Sequence, residues 1–462
     1  MKKWIAIGIV TAVLVALAFP VSNLFIKPAP VTELSDKAKD DPALAEVAHL
    51  FETKCHYCHV PGASLPFYAS LPVAKQLMDY DIRIGLTWFE MPEELFPEGG
   101  GAVPEPVLAK IEYVVDRGQM PPLRYLAMHW DHSLSAGENK TIKDWLESVR
   151  ENEHAQADVP EELKRGPLRP VPKAKTLNLD PEKVAMGEKL FHDTRLSTDN
   201  TLSCASCHAL DKGGTDQKQF ATGVNGQVGP INSPTVYNSA FQFAHFWDGR
   251  AATLEEQAGG PVENPIEMAS TWPEVLDKLN KDPEFVQAFQ AIYPGPLNAD
   301  NIKDAIAEFE RSLMTPNSRF DQYLLGNDDA LTAEEKQGHK LFTENRCATC
   351  HAGEIMGGKS YEKMGRHADY FAMRGGEVTE ADHGRFNHSK RDKDKFKFKV
   401  PTLRNIAVTH PYFHDGSTSD LAEVVTTMES VQNGKGLTEA EVDKIAAFLR
   451  TLTGEYEGKS LE

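Results

Sequence analysis

Three short cysteine motifs constrain this chain more than any other feature. Each has the spacing Cys-x-x-Cys-His, and together they use all six cysteines of the 462 residues. The motifs are Cys55-His56-Tyr57-Cys58-His59, Cys204-Ala205-Ser206-Cys207-His208 and Cys347-Ala348-Thr349-Cys350-His351. This spacing is typical of c-type haem attachment, in which both thiols bind the haem vinyl groups and the adjacent histidine binds the iron. A zinc knuckle would pair two such units in one site, and a disulfide framework suits much smaller chains. We therefore predict three covalently bound haem c groups.

The length and charge of the chain limit its organisation and its partners. A chain of 462 residues suffices for about three domains, which is one for each motif. The formal net charge of −19 argues against a nucleic-acid partner. The same acidic surface would suit a basic soluble protein as a partner.

The N-terminus carries an apolar run behind two lysines. The run extends to Phe19 and, after Pro20, resumes as far as Ile26. If it continues to Ile26 it can form a transmembrane helix, whereas a run that ends at Ala18 is the core of a signal peptide. We favour an uncleaved anchor, which predicts a single-pass protein of the bacterial inner membrane with its catalytic part in the periplasm.

A recurring helical plan predicts the fold class and the domain boundaries. A short amphipathic pattern precedes each haem motif, and each domain ends with another amphipathic helix. These closing helices are predicted at Lys140–Val149, Ile302–Leu313 and Glu439–Leu452. The predicted fold is mainly α, with three cytochrome c-like haem domains in tandem behind an N-terminal transmembrane helix. The predicted segments are 1–26 (transmembrane anchor or signal peptide), 27–160 (first haem domain), 161–330 (middle haem domain) and 331–462 (third haem domain).

The sixth ligand of each iron decides whether a haem only transfers electrons or also binds a small molecule. For the first haem we expect Met120, which precedes two prolines, and His129 and His132 compete with it. Met428 lies in a helical pattern where methionine is more often a core residue, so spacing alone does not assign it to the third haem. The middle haem has no obvious sixth ligand. Glu267 brings a carboxylate into that domain, where an acid beside a haem can shuttle protons, although a surface glutamate is the commoner case.

A basic stretch runs from residue 385 to residue 399. It is rich in lysine and arginine, with Phe396 and Phe398 interleaved. The pattern is typical of a solvated loop, and the alternative is a docking patch for an acidic partner.

Four further segments carry a family resemblance. They are Gly229-Pro230-Ile231-Asn232-Ser233-Pro234-Thr235-Val236, Phe246-Trp247-Asp248-Gly249-Arg250-Ala251, Pro401-Thr402-Leu403-Arg404-Asn405 and Pro411-Tyr412-Phe413-His414-Asp415-Gly416. With the second and third haem motifs, they make residues 177–452 resemble the bacterial di-haem cytochrome c peroxidases. The added N-terminal haem domain and anchor resemble the tri-haem, membrane-anchored cytochrome c quinol peroxidase branch of that family.

The resemblance implies a role for each matching residue. The middle haem becomes the peroxidatic one, with His208 as its proximal ligand. Glu267 matches the distal acid–base carboxylate, and Gln257 matches the distal amide that positions peroxide. The third haem becomes the electron-transferring one with Met428 as its axial ligand, and Trp247 matches a tryptophan between the two haems.

The resemblance also implies a bound cation. One Ca²⁺ is expected between the second and third domains, bound by Asn232 and by the carbonyl groups of Thr409 and Pro411. Oxygen ligands suit this hard cation.

One position departs from the family pattern. Many members carry a histidine 16 residues after the proximal one, and that histidine caps the resting peroxidatic iron until the other haem is reduced. Here the position is Val224, which cannot bind iron. We therefore expect an open site that is ready without reductive activation; the alternative is that another side chain caps it.

The implied activity is that of a periplasmic peroxidase. It would reduce hydrogen peroxide to water with electrons from membrane quinol, relayed through three haems, and a soluble cytochrome c is the alternative donor. A homodimer is compatible with the resemblance. A non-catalytic tri-haem electron-transfer protein and a peroxide sensor remain alternatives. An oxidase that modifies a protein tryptophan would carry a tyrosine where this chain has Met428.

Overall fold

The computed structural model of the chain describes residues 2–26, 33–97, 100–155 and 159–462. The chain forms two compact units. One extends to Ala155 and includes Lys164–Gly166, and the other takes in the remainder up to Glu462. Both are built mainly of α-helices, which confirms the predicted fold class in its main feature. The four predicted segment boundaries stay a prediction.

The first unit packs its helices around one apolar core. Its helices are α1 (Lys2–Asn23), α2 (Glu33–Lys37), α3 (Pro42–Lys54), α4 (His56–His59), α5 (Pro72–Trp88), α6 (Met91–Glu94), α7 (Glu105–Asp116), α8 (Leu123–Leu126) and α9 (Ala136–Val149). Phe51 of α3, Leu108 of α7 and Trp145 of α9 meet in this core. The helix α4 holds the end of the first haem motif. Since a Cβ atom on Gly85 would overlap the carbonyl oxygen of Cys58, this glycine lets α5 pack directly against the motif.

The second unit holds the other two haem motifs. After α10 (Glu161–Lys164), its helices are α11 (Pro181–Phe191), α12 (Cys204–Cys207), α13 (Leu254–Glu263), α14 (Trp272–Asn280), α15 (Pro283–Ile292), α16 (Ala299–Ser312), α17 (Arg319–Leu324), α18 (Ala333–Glu344), α19 (Tyr370–Arg374), α20 (Phe386–Ser389), α21 (Leu421–Gln432) and α22 (Glu439–Arg450). The predicted closing helices are confirmed as α9, α16 and α22. Their ends differ from the prediction by a few residues because side-chain caps set them: Ser135 caps α9 and Asn298 caps α16.

Two helix pairs of the second unit repeat one crossing. The helix α11 packs against α16, and α18 packs against α22. A Cβ atom on Gly187 would overlap the carbonyl oxygen of Ala305, and one on Gly338 would overlap that of Lys444. Because only glycine fits at these positions, the helices that begin and end each haem-binding region lie backbone to backbone.

Two short antiparallel pairs of strands complete the second unit. Strand β1 (Tyr361–Lys363) pairs with β2 (Lys397–Lys399), and β3 (Glu455–Tyr456) pairs with β4 (Lys459–Ser460). The basic stretch 385–399 therefore ends in a strand in which Phe398 and Lys399 are buried. The prediction of a solvated loop is wrong for this end of the stretch.

The predicted membrane anchor requires a correction. Residues 2–23 form α1, but no helix within the described parts of the chain combines the length and apolar character needed to cross a bilayer. The apolar run is interrupted at Pro20, and the helix then continues through the polar Ser22 and Asn23. Asn23 is buried, and its amide donates to the carbonyl oxygen of Met128 at 2.7 Å. The prediction of a single-pass anchor in the inner membrane is therefore wrong.

Candidate haem-binding sites

The three motif histidines share one arrangement. The Nδ1 atoms of His59, His208 and His351 lie 2.8, 3.3 and 3.2 Å from the carbonyl oxygens of Phe89, Gly214 and Met356. With its proton on Nδ1, each imidazole has its lone pair on Nε2, the nitrogen that an iron would take. Burial lowers the pKa of all three histidines, which favours the neutral ligand form.

The cysteines of the motifs are equally suited to haem attachment. All six are free thiols and partly buried. Burial raises the pKa of Cys207 to about 11 and that of Cys58 to about 11, so these thiols are protonated until they react. Paired thiols beside a neutral, oriented histidine fit a covalently bound haem at each motif.

A glycine loop and an acidic turn form the surroundings of the middle motif. The loop runs from residue 222 to residue 228, and the turn from residue 264 to residue 268. The backbone N–H of Val224 donates to the carbonyl oxygen of Glu267 at 2.8 Å. A Cβ atom on Gly223 would overlap the carbonyl oxygen of Ile266, so only glycine permits this close packing. Val224, the position of the absent histidine, is buried against the segment that carries the predicted acid.

The Glu267 carboxylate is half-buried and held in place. Its Oε1 atom accepts a hydrogen bond from the side-chain amide of Asn264 at 2.6 Å. Burial raises the pKa of Glu267, while the Asn264 hydrogen bond and the charge of Arg250 oppose the rise. After burial and Asp216, the Glu267 charge is the next cause that raises the pKa of Cys207. The structure thus brings the predicted acid close to the middle haem motif.

Gln257 lies on the helix that leads into this turn. It is half-buried in α13, and the residue that caps the C-terminus of α13 is Asn264, which holds Glu267. The predicted distal amide and the predicted acid therefore belong to one continuous helix and turn.

The surroundings of the third motif are different. Met428 lies on α21, and the next residue, Glu429, is close enough for its charge to raise the pKa of Cys347. The main cause of that rise is burial, followed by Cys350. Met428 and Trp247 pack against the same buried apolar cluster, which includes Phe398. Both residues predicted to serve electron transfer are therefore brought together.

Trp247 is fixed by two backbone contacts. Its Nε1 atom donates to the carbonyl oxygen of Asn232 at 2.8 Å, and its own carbonyl oxygen accepts from the backbone N–H of Lys399 at 2.8 Å. The centroid of its ring lies 6.4 Å from that of Phe398 and 6.4 Å from that of His414.

The competing ligands of the first haem differ in their availability. His129 has partners at both ring nitrogens: Nδ1 lies 3.0 Å from the carbonyl oxygen of Tyr125, and Nε2 contacts the hydroxyl of Tyr68. His132 has its Nδ1 atom 3.0 Å from Asp131. Met120 is half-buried in the turn between α7 and α8. A histidine whose two nitrogens are engaged is a poor iron ligand, so these contacts favour Met120 over His129.

The predicted calcium ligands lie in one connected region. The side-chain amide of Asn232 donates to the carbonyl oxygens of Lys218 and Gln219, which leaves its Oδ1 atom as the ligand oxygen. The side chains of Gln217 and Gln219 in turn donate to the carbonyl oxygens of Val408 and Asp415, on either side of Thr409 and Pro411. Calcium at this place stays a prediction.

Sequence reasoning missed three features of these sites. Asn264 orients the acid, Lys399 is a buried cation beside Trp247, and His414 contacts the Asp382 carboxylate at 2.7 Å. The Asn264-Pro265 pair was a usable signal for a turn in which the asparagine side chain makes local hydrogen bonds. No sequence pattern shows that Lys399 is buried, because basic residues surround it on the chain.

Family comparisons bear directly on these sites. The Di-haem cytochrome c peroxidase family matches residues 181–329, a Haem-binding domain family matches residues 13–148, and the Cytochrome c family matches residues 335–453. Cytochrome c peroxidase Ccp of Escherichia coli K12 is 48% identical over 88% of this chain and 87% of the relative. The chain belongs to the bacterial di-haem cytochrome c peroxidase family. It is therefore a haem peroxidase, an oxidoreductase that carries covalently bound haem c.

Two further proteins are similar to this chain at greater distance. Cytochrome c551 peroxidase of Nitrosomonas europaea is 43% identical over 63% of this chain and 84% of the relative. The crystal structure of a MauG-like protein associated with microbial copper homeostasis is 29% identical, covers 65% of this chain and 96% of its own, and has a TM-score of 0.56.

Proposed function

We propose that this cytochrome c peroxidase family member reduces hydrogen peroxide to water at the middle haem, with electrons relayed from a donor through three haems. The observation that carries the proposal is the Glu267 carboxylate, held by Asn264 near Cys207 and packed against Val224. The reaction consumes one peroxide, two electrons and two protons and yields two water molecules.

The residues proposed to hold each haem follow from the contacts around the motifs. The thiols are paired as Cys55 with Cys58, Cys204 with Cys207, and Cys347 with Cys350. Met120 with His59 would hold the first iron, Met428 with His351 would hold the third, and His208 would hold the middle one. When bound, the haem supplies a redox-active iron that can bind peroxide and accept electrons.

The proposed work of the side chains is to move protons and to orient peroxide. Glu267 accepts the proton of one peroxide oxygen and gives it to the other, so that water leaves as the O–O bond breaks. A carboxyl whose pKa is raised by burial is better matched to this exchange than a fully exposed one. Gln257 donates a hydrogen bond that orients peroxide and stabilises the charge that develops on oxygen. Trp247 lies on the proposed route of electrons from the third haem.

An uncapped resting site is part of the proposal. Val224 offers no ligand atom, and its backbone is bonded to the acidic turn. Peroxide therefore needs no side chain to leave before it enters.

The tested substitution is Glu267→Gln, which keeps the shape of the side chain and removes the proton acceptor. We expect turnover with peroxide to fall by about 10²- to 10⁴-fold while the haem absorption spectrum is unchanged. The matched control is Glu263→Gln, because Glu263 is exposed at the end of the same helix. Equal turnover in Glu267→Gln and the control would remove the acid–base role.

The donor is proposed to be a quinol that reduces the first haem. A quinol releases two protons with its two electrons and has an apolar body. In the first unit, Phe67 and Trp130 are exposed beside Tyr68 and His129, which are in contact with each other. Burial lowers the pKa of His129 to about 4, so its imidazole is neutral.

A soluble cytochrome c is the second candidate donor. The names of the two relatives at 48% and 43% identity favour it. The steady-state rate of peroxide reduction by the purified protein, measured with a soluble quinol analogue and with reduced cytochrome c, separates the two. Turnover with cytochrome c alone would contradict the quinol proposal and leave the peroxide chemistry intact.

A further inference from the structure

Lys399 is a buried cation whose neighbours do not balance its charge. Only 5% of the residue is exposed. Its Nζ atom donates to the side-chain oxygen of Gln242, which is a neutral group. Burial lowers the pKa of Lys399 to about 8, and no carboxylate of the described chain counteracts that effect. A buried ammonium group without an opposite charge is costly, so this position calls for an anion.

Other buried cations in the chain have their carboxylates. Arg404 lies 2.9 Å from Asp321, and Arg150 lies 2.8 Å from Glu105. In both pairs a buried positive charge is balanced by a carboxylate within hydrogen-bond distance. Lys399 differs because its partner is an amide.

The position of Lys399 on the chain indicates where the anion comes from. Its backbone N–H donates to the carbonyl oxygen of Trp247, which packs in the same apolar cluster as Met428. Burial lowers the pKa of His351, the histidine of the third haem motif, and the backbone of Pro401, two residues after Lys399, is close enough to oppose that effect. Lys399 therefore lies between the predicted bridging tryptophan and a haem-binding histidine.

Bound haem would supply negative charge, because each haem c carries two propionate carboxylates. We propose that Lys399 binds a haem propionate in the second unit and that its charge raises the reduction potential of that haem. A positive charge nearby favours the reduced iron, which has one positive charge fewer. The inference depends on covalent haem and not on the peroxide chemistry, so its test and the Glu267 test can fail separately.

The test is a spectroscopic redox titration of haem-loaded protein carrying Lys399→Gln. We expect the ratio of reduced to oxidised form of one haem to fall about tenfold at a fixed ambient potential, which is about 59 mV for one electron. The haem that shifts identifies the source of the carboxylate: the spectrum without methionine ligation marks the middle haem, and the methionine-ligated spectrum that Met428→Leu removes marks the third. Unchanged potentials for all haems would overturn the proposal.

The matched control is Lys397→Gln. Lys397 lies on the same strand and carries the same charge, but its side chain is partly exposed and 3.4 Å from Asp394. Screening by solvent should leave the haem potentials of this variant unchanged. An equal shift in both variants would contradict a specific role for Lys399.

A second measurement needs no substitution and covers the case in which Lys399→Gln does not take up haem. In a crystal structure of the unaltered, haem-loaded protein, we expect the Nζ atom of Lys399 within hydrogen-bond distance of a propionate oxygen. An Nζ atom bonded only to Gln242 and water, or to an inorganic anion, would overturn the proposal.

Discussion

The middle and third haem-binding regions share their helices and the contact of their motif histidine, but different segments surround their motifs. In both, a histidine presents Nδ1 to a backbone carbonyl oxygen, and a glycine lets the first and last helices cross in direct contact. The third region then adds α21, which carries Met428. The middle region has the loop of Val224 bonded to the turn of Glu267. We expect the repeated helices to hold the cofactor and the segments that are not repeated to decide what each haem does.

The strongest way to break this comparison is to remove the ligand that distinguishes the third region. In Met428→Leu we expect peroxide turnover to fall about 100-fold, the upper end of what disturbing a metal's surroundings costs, because electrons no longer reach the middle haem at a suitable potential. The measurement is steady-state turnover together with the low-spin absorption of the oxidised protein. Met373→Leu is the control, since Met373 is exposed on α19. Normal turnover with the low-spin spectrum intact would show that Met428 is not the ligand.

A second test of the difference between the two regions is to add a candidate iron ligand to the middle one. Val224→His places an imidazole 16 residues after His208. If the new side chain caps the iron in about 90% of molecules, initial turnover falls about tenfold, because only the uncapped fraction binds peroxide. Pre-reduction of the protein should restore the rate, and electron paramagnetic resonance should show the high-spin signal decrease.

Two observations would contradict that expectation. Val228→His, at the exposed end of the same loop, should behave like the unaltered protein, and an equal loss there would indicate damage to the loop. An unaltered oxidised protein with three low-spin haems and no high-spin signal would show that another group already caps the middle iron.

The smallest expected effect concerns the acid that only the middle region has. Asn264→Ala removes the hydrogen bond that stabilises the charged form of Glu267, so the pKa of Glu267 should rise further. The proposed base must be ionised to act, so activity falls when acid protonates it. With a higher pKa this protonation occurs at a higher pH, and we expect the acid limb of kcat/KM to move upward by about one pH unit.

The control for this pH profile is Gln227→Ala. The side chain of Gln227 donates to the carbonyl oxygen of Pro265 in the same turn. Within the described part of the chain, its hydrogen bonds do not include one to Glu267. Its acid limb should stay where it is in the unaltered protein. An acid limb that is unchanged in Asn264→Ala would mean that another group controls the profile.

The sequence was sufficient for the parts that depend on local pattern. Fixed spacing revealed the haem motifs, and helical periodicity revealed α9, α16 and α22. Thr332 and Glu335 have capping-box spacing, and at the start of α18 both side chains make capping hydrogen bonds. Each of these signals lies within a few residues and needs no knowledge of tertiary contacts.

The parts that depend on distant contacts were out of reach. Lys399 reads as one more exposed charge in a basic stretch, and only the pairing of β2 with β1 buries it. The apolar run at the N-terminus satisfied a length criterion, yet Asn23 near its end makes a partly buried hydrogen bond to Met128, more than a hundred residues away. Hydropathy counts along the chain cannot show such a bond.

Gly223 has a practical consequence for redesign of this enzyme. Because its missing side chain lets the loop rest directly on the carbonyl of Ile266, the two segments behave as one module. Grafting a histidine-bearing loop from another peroxidase would bring along a backbone shaped for a different turn. An exchange that is meant to convert one resting state into the other should therefore transplant residues 222–228 and 264–268 as a single cassette.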